Sequence, residues 1–336
     1  MENDMTKDTQ PLIKIKDRQS LIHLGSLDSF DITEGGKSAA RLILSYLDKP
    51  SEENLEEAID IYEKIIPNEN FGGEYTALEW LCRYFLAEES SRKEMAAQPM
   101  IQSFIEMMTD NDCDNLITYL KYKYHIVEYG PGDQTELRKR MRFLEDYILF
   151  NNPNRERWET TRENLEKFNL QEGMHIADVG CGPGYYSFRF SRLVGDTGRV
   201  YAIETNPLHL EYLRDYVSKY KVSNVEVVES SFEGIGLSPD IRVDVVYICS
   251  LYHNVYAAFT DAERDSFVGS IRTALNEGGR LIIVDNDLVT EEELPYHGPY
   301  ISRELIEYQL GFYGFKPTDY VQIIPQRYML KFKLNK

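Results

Sequence analysis

The stretch HIADVGCGPGYYSFRFSRLVGDTGRVYAIE, residues 175–204, reads as a strand, a glycine-rich turn, a helix and a second strand that ends on a carboxylate. Ile176, Ala177 and Val179 supply the short apolar run of a buried strand. Gly180, Gly182 and Gly184 follow at alternate positions, where the lack of side chains lets the backbone turn tightly and pass close to a ligand. The spacing is GxGxG and not the GxGxxG of dinucleotide sites. Asp178 stands two residues before the first glycine, where a carboxylate suits a cationic amino group and repels a pyrophosphate. Glu204 lies about 20 residues past the last glycine, the position from which a carboxylate accepts hydrogen bonds from a ribose diol.

Downstream of this stretch the same alternation continues. Apolar runs at 225–228, 243–249 and 280–285 predict further strands beside those at 175–179 and 199–203. Helical patterns fall at 185–194, 207–220, 261–275 and 302–313, the grammar of a parallel βαβ sheet. Two last strands, near 318–324 and 328–333, are separated only by Pro325, Gln326 and Arg327. So short a link joins antiparallel neighbours, because a parallel crossover needs a dozen residues or more. The predicted domain therefore runs over 151–336, opening with the turn-rich NNPN at 151–154 and a helix over 155–168.

Upstream, residues 36–150 carry helical stripes and no fixed repeat. Leu55, Ala58, Ile59, Tyr62, Ile65 and Ile66 form one, with Ser51 as a start signal and Pro67 and Asn68 as a stop. Others run through Ala77–Phe85, Met100–Met108, 116–126 and 137–149. The expected unit is an all-α domain that covers a substrate site or makes a homodimer, its Met and aromatic stripes being core or a groove. Residues 1–35 read as an extended N-terminal arm punctuated by Gly25.

A length of 336 residues suits two domains, and 42% hydrophobic residues are enough to build two cores. The net charge of −19 opposes bulk binding to nucleic acid or to anionic membranes. The first 20 residues hold no apolar signal core, and no run reaches the ~18 apolar residues of a membrane span. Cys82, Cys113, Cys181 and Cys249 lack metal or disulfide spacing, so a reducing, cytoplasmic setting is expected.

Four internal segments, DVGCGPG (178–184), VYAIE (200–204), DVVYICSLYHN (244–254) and LNEGGRLIIVD (275–285), carry a family resemblance, together with the closing GFYGFKPTDYVQIIPQRYMLKF. Over residues 155–332 the chain resembles the class I S-adenosylmethionine-dependent methyltransferases, in particular the UbiE-like small-molecule group. The resemblance implies an α/β fold with a Rossmann-like seven-stranded sheet, parallel except for one antiparallel strand from the C-terminal hairpin. It implies S-adenosylmethionine as cofactor and S-adenosylhomocysteine as product. The acceptor would offer an O, N or C nucleophile on a small molecule, a natural product or a peptide.

Carried onto this sequence, Asp178, Gly180, Gly182 and Gly184 would hold the methionine moiety and Glu204 the ribose. Ser231 stands where the family's adenine-binding aspartate is expected, so its hydroxyl, Glu233 or backbone groups would take that contact, with Phe232 placed to stack on the ring and Cys249 closing the pocket after the fourth strand. His253 is the candidate general base, since imidazole takes a proton near neutral pH; the other reading is a histidine that closes the pocket or caps a helix. Asp285 and Asp287, at the end of the fifth strand, face the same side and would touch the acceptor or play a structural part; an isolated DxD does not make a metal site. Tyr252 and Tyr256, with Tyr185 and Tyr186 nearby, would wall the acceptor. His297 lies on a lid-like loop before the 302–313 helix. Two rival readings are a nicotinamide-dependent oxidoreductase and a non-catalytic cofactor-binding scaffold.

Overall fold

The alternating pattern after residue 170 closes into one seven-stranded sheet in the computed structural model. The structure describes residues 22–23, 32–66, 73–130, 134–231, 233–287, 299–324 and 327–335. Most of the expected N-terminal arm lies outside the described residues. The chain divides into two units, Phe30–Thr160 and Thr161–Lys336, the second joined by the N-terminal segment.

In chain order a two-residue strand, β1 (Ile22–His23), precedes the helical unit. That unit holds α1 (Glu34–Asp48), α2 (Glu52–Ile65), α3 (Gly73–Leu86), α4 (Glu89–Met95), α5 (Pro99–Lys123), α6 (Gln134–Phe150) and α7 (Glu156–Glu159). Thr33 caps α1 by accepting the Gly36 N–H at 3.0 Å. Leu55, Ala58, Ile59 and Tyr62 on α2 are buried, as their spacing predicts. Within α5, Asn111, Asp112 and Cys113 take left-handed backbone angles, so the stripes at 100–108 and 116–126 are two helical stretches meeting at a break. The side chain of Asn115 spans it, donating to the Met107 carbonyl at 2.9 Å. Met100, Phe104, Ile105 and Met108 are buried with Tyr119, Leu120 and Tyr147, so this Met and aromatic stripe is core.

The helix expected over 155–168 is interrupted. Thr160 adopts φ 45° and ψ 42°, which ends α7 before α8 (Thr161–Phe168) begins. The sheet unit continues with β2 (His175–Val179), α9 (Ser187–Val194), β3 (Arg199–Glu204), α10 (Pro207–Tyr220), β4 (Val225–Glu229) and β5 (Val243–Cys249). Next come α11 (Tyr252–Ala257), α12 (Asp261–Ala274), β6 (Leu275–Asn286), β7 (Tyr300–Ile301), α13 (Arg303–Phe312), β8 (Phe315–Ile324) and β9 (Arg327–Leu334). Asn206 and Pro207 start α10, the Asn206 side chain accepting from Leu208 N at 3.0 Å. Thr260 and Glu263 form a capping box on α12.

The sheet order is β4-β3-β2-β5-β6-β9-β8, with β9 antiparallel to both neighbours and the rest parallel. Strand order reverses between β2 and β5, and ligands bind outside the carboxyl ends of strands at such a point. The inner strands are apolar throughout because helices cover both faces of a parallel sheet; Ile176, Val200, Val246 and Ile283 are all fully buried. β1 adds to β7, pairing Ile22 with Ile301.

Candidate active site

The glycine turn is held by its own backbone and by Glu204. Gly180, Gly182 and Gly184 sit at φ 68°, 53° and 83°, a region that L side chains rarely adopt. A Cβ on Gly184 would also come within 2.5 Å of Phe188 and 2.7 Å of Leu213. The Gly180 and Cys181 N–H groups both donate to the Ile203 carbonyl, at 2.9 and 3.1 Å, which latches the turn to β3. Gly182 N donates to Glu204 Oε2 at 2.8 Å, while Glu204 Oε1 accepts from Thr205 N at 2.7 Å and Asn206 N at 3.0 Å. Burial alone would push the Glu204 carboxyl up, but His209, 3.6 Å away, and the Asn206 and Thr205 N–H groups outweigh it and hold the pKa at about 2. Glu204 is therefore ionised. Asp178 lies on the neighbouring strand, 2% exposed, and accepts from Ser187 Oγ at 2.6 Å.

These residues fit S-adenosylmethionine by their donor set. An ionised, buried carboxylate at the end of β3 is an acceptor for two ribose hydroxyls, and a second at the end of β2 matches an ammonium group. Ser231 is exposed, and its hydroxyl accepts from Glu233 N at 3.2 Å in a tight local turn. Phe232 and His297 lie outside the described residues.

Across the switch point the strand ends carry a second arrangement. His253 lies in the first turn of α11 and is 4% exposed. Its Nδ1 lies 2.9 Å from Asp285 Oδ1, and its backbone N–H donates to Asp285 Oδ2 at 3.2 Å. Asp285 Oδ1 also accepts from Asn286 N at 2.9 Å. Asp285 is fully buried, with both oxygens engaged by these partners. The expectation that it touches the acceptor is thus corrected: it touches the histidine.

The tyrosine wall needs correction too. Tyr252 is fully buried in the sheet core, with its hydroxyl 2.7 Å from Gln309 Oε1, because α11 turns that ring inward. Tyr185 is buried with its hydroxyl 2.8 Å from Thr161 Oγ1 and the Arg189 guanidinium 3.6 Å over its ring. Tyr186 packs against Phe168, Phe190 and Tyr247. Of the four, only Tyr256 keeps partial exposure.

Sequence reasoning missed Arg327. It is 6% exposed at the start of β9, opposite Asn286 in register, and donates to Ser250 Oγ and Asn286 Oδ1, each at 3.1 Å. Its Nη2 lies 3.2 Å from Cys249 Sγ, so the thiol expected to close the cofactor pocket is a partner of this guanidinium. Its sequence signal was no more than its place in the short link between the last two strands. Among the described residues, no His, Cys, Asp and Glu cluster has metal-binding geometry, and no helix is long and apolar enough to cross a membrane.

Residues 170–316 match the model of a family described as a methyltransferase domain. Among curated relatives, the ubiquinone/menaquinone biosynthesis C-methyltransferase UbiE of Shewanella halifaxensis is 27% identical over 161 residues, covering 44% of this chain and 61% of that protein. The carboxy-S-adenosyl-L-methionine synthase of Dichelobacter nodosus is 29% identical over 116 residues, or 34% of this chain and 46% of that one. A solved SAM dependent methyltransferase from Aquifex aeolicus is 26% identical and covers 54% of this chain and 92% of its own, with a TM-score of 0.47. The chain spans 61% of the length of the UbiE relative it matches. With its strand order, its glycine turn and its ionised Glu204, the chain carries a class I S-adenosylmethionine-dependent methyltransferase domain.

Proposed function

We propose that the protein transfers a methyl group from S-adenosylmethionine to an O, N or C nucleophile of a small-molecule or peptide acceptor, releasing S-adenosylhomocysteine. The observation that carries this reading is the ionised Glu204, which braces the glycine turn through Gly182 N from the strand end where a ribose diol would sit. When bound, the cofactor supplies an electrophilic sulfonium methyl.

The chain's own residues then have distinct tasks. Asp178 and the turn would orient the amino-acid end of the cofactor and Glu204 would fix its ribose. His253 stands across the switch point as the base for an acceptor that must lose a proton. The UbiE relatives are named as C-methyltransferases, which supports a small-molecule acceptor.

Calorimetry with S-adenosylhomocysteine and, separately, NADH tests the cofactor. Binding of the first and not the second is expected, and the reverse overturns the reading. Incubation with methyl-labelled cofactor and native cell extract then identifies the acceptor as whatever carries the label.

A further inference from the structure

We infer that the outer face of α13 is a docking surface for a polypeptide partner that sets Lys or Arg beside large apolar side chains. Ile306 and Leu310 turn the other side of this helix into the sheet core and are fully buried. Glu304, Tyr308 and Phe312 stand at i, i+4 and i+8, so they share one stripe, and it faces water. Tyr308 is 69% exposed and Phe312 73%, whereas the other exposed large apolar residues described, Val127, Leu193 and Tyr320, lie on other elements and none exceeds 42%. The two ring centroids are 4.9 Å apart at 88°, an edge-to-face pair that holds both rings in place before anything binds. Gly311, between them in the helix, leaves a notch, since a Cβ there would meet nothing within 4 Å. Rings left in water gain little from folding, and aromatic anchors of this kind dominate the energy of protein interfaces.

The surrounding charge selects the occupant. The first residues of α12, 261–265, and α13 together carry five carboxylates, Asp261, Glu263, Asp265, Glu304 and Glu307, against two arginines. Both arginines are committed. Arg264 donates to the Val255, Tyr256 and Phe259 carbonyls and to Asp261. Arg303 donates to Glu304 and lies over the Tyr320 ring. Tyr313 ties α13 to α12 by donating to Asp265 at 2.6 Å, which keeps the acidic turn beside the end of the stripe. An acidic rim repels an anionic membrane, a nucleic acid and, on a chain of net charge −19, a second copy of the same face. The outer surface of a helix also lacks the concavity that encloses a small molecule. It fits a partner segment with Lys or Arg set against Glu304 and Glu307 and an apolar side chain in the notch beside Phe312. One face of an amphipathic helix has that pattern. With two rings as anchors the contact is small and belongs to the transient class of interfaces.

The test uses the full chain and two dye-labelled synthetic helices of the same apolar pattern, one built from Lys and Leu and the other from Glu and Leu. Fluorescence anisotropy at low salt is expected to show binding of the Lys–Leu peptide alone, weakening as salt rises. Tyr308→Ala combined with Phe312→Ala should lower that affinity about 10-fold or more, and the fold should survive because both rings are exposed. Glu304→Lys combined with Glu307→Lys should lose the Lys–Leu peptide and bind the Glu–Leu one. Equal binding of both peptides by the wild type, or an affinity untouched by the alanines, overturns the docking surface. Sedimentation of the full chain covers the other occupants: a dimer that the alanines abolish makes a second copy the partner and overturns the peptide. Pelleting with vesicles of anionic lipid, lost in the same variant, overturns it equally. S-adenosylhomocysteine affinity should stay within about twofold in both variants, as for well-separated sites, and its loss in the alanine variant would tie the rings to the cofactor site instead.

Discussion

Glu204 at the end of β3 and Asp285 at the end of β6 are two buried carboxylates on one sheet, and their partners set them apart. Glu204 collects backbone N–H groups from the glycine turn and from the residues that follow it, so its charge shapes a loop. Asp285 collects two backbone N–H groups and one imidazole, so its charge fixes the proton of a side chain. The first arrangement is a rigid receptor. The second can change its protonation state in a reaction. In the proposed function, the doubly wound sheet separates cofactor holding from acid–base work on opposite sides of its switch point.

Substitutions at the two ends should separate in what they disturb. The largest effect is expected from His253→Ala, which should slow transfer by about 10²- to 10⁴-fold while cofactor affinity stays within about twofold. Single-turnover rates and calorimetry with S-adenosylhomocysteine check both halves; full rate with the true acceptor would remove the histidine from the mechanism.

Asp178→Ala should act on the other side alone, weakening S-adenosylhomocysteine binding by about 100-fold or more through loss of a charge-assisted contact, to the point of abolishing it in the calorimeter. Ser187 would lose its acceptor as well. Unchanged affinity would mean that the amino group of the cofactor is held elsewhere.

Glu204→Gln should cost a smaller factor in affinity and should also change the acid stability. The folded pKa of Glu204 is depressed, from 4.5 to about 2. Its stabilisation is therefore fully present above the upper value and is lost as the pH falls toward the lower one, a contribution of about 3 kcal/mol. Urea melts of the wild type and the variant should converge across that acid window; a constant gap would show that the ionised state of Glu204 contributes nothing. The smallest effect is expected from Ser231→Ala, whose hydroxyl serves a solvent-exposed turn, with cofactor affinity changed less than about threefold.

The glycine turn was legible in the sequence because its requirements are local. Positive φ at Gly180, Gly182 and Gly184 demands glycine, and the strand that follows must end on the carboxylate that braces them. Alternating apolar runs likewise predicted the parallel strands and the closing hairpin, since each pattern repeats within a few residues. The acceptor end was not legible in this way. Asp285 and His253 were each noticed, but as separate acceptor ligand and base, because no spacing rule joins residues on different elements. Arg327 reaches Cys249 and Ser250 only through the register of an antiparallel strand. Tyr252 and Tyr186 have the composition of a pocket wall and the packing of a core. The break at Thr160 went unseen because a left-handed threonine has no sequence signature.

The β1–β7 pairing carries a consequence for the order of folding. Ile22 and Ile301 are joined across nearly the whole chain, and closing a loop of that length in a disordered chain costs about 5 kcal/mol. A two-residue ladder and one buried isoleucine offset only about 2–3 kcal/mol of that. The strap can therefore dock only after the intervening sheet has already brought its ends together. It should form late in refolding and exchange its amide hydrogens with solvent before the central strands do.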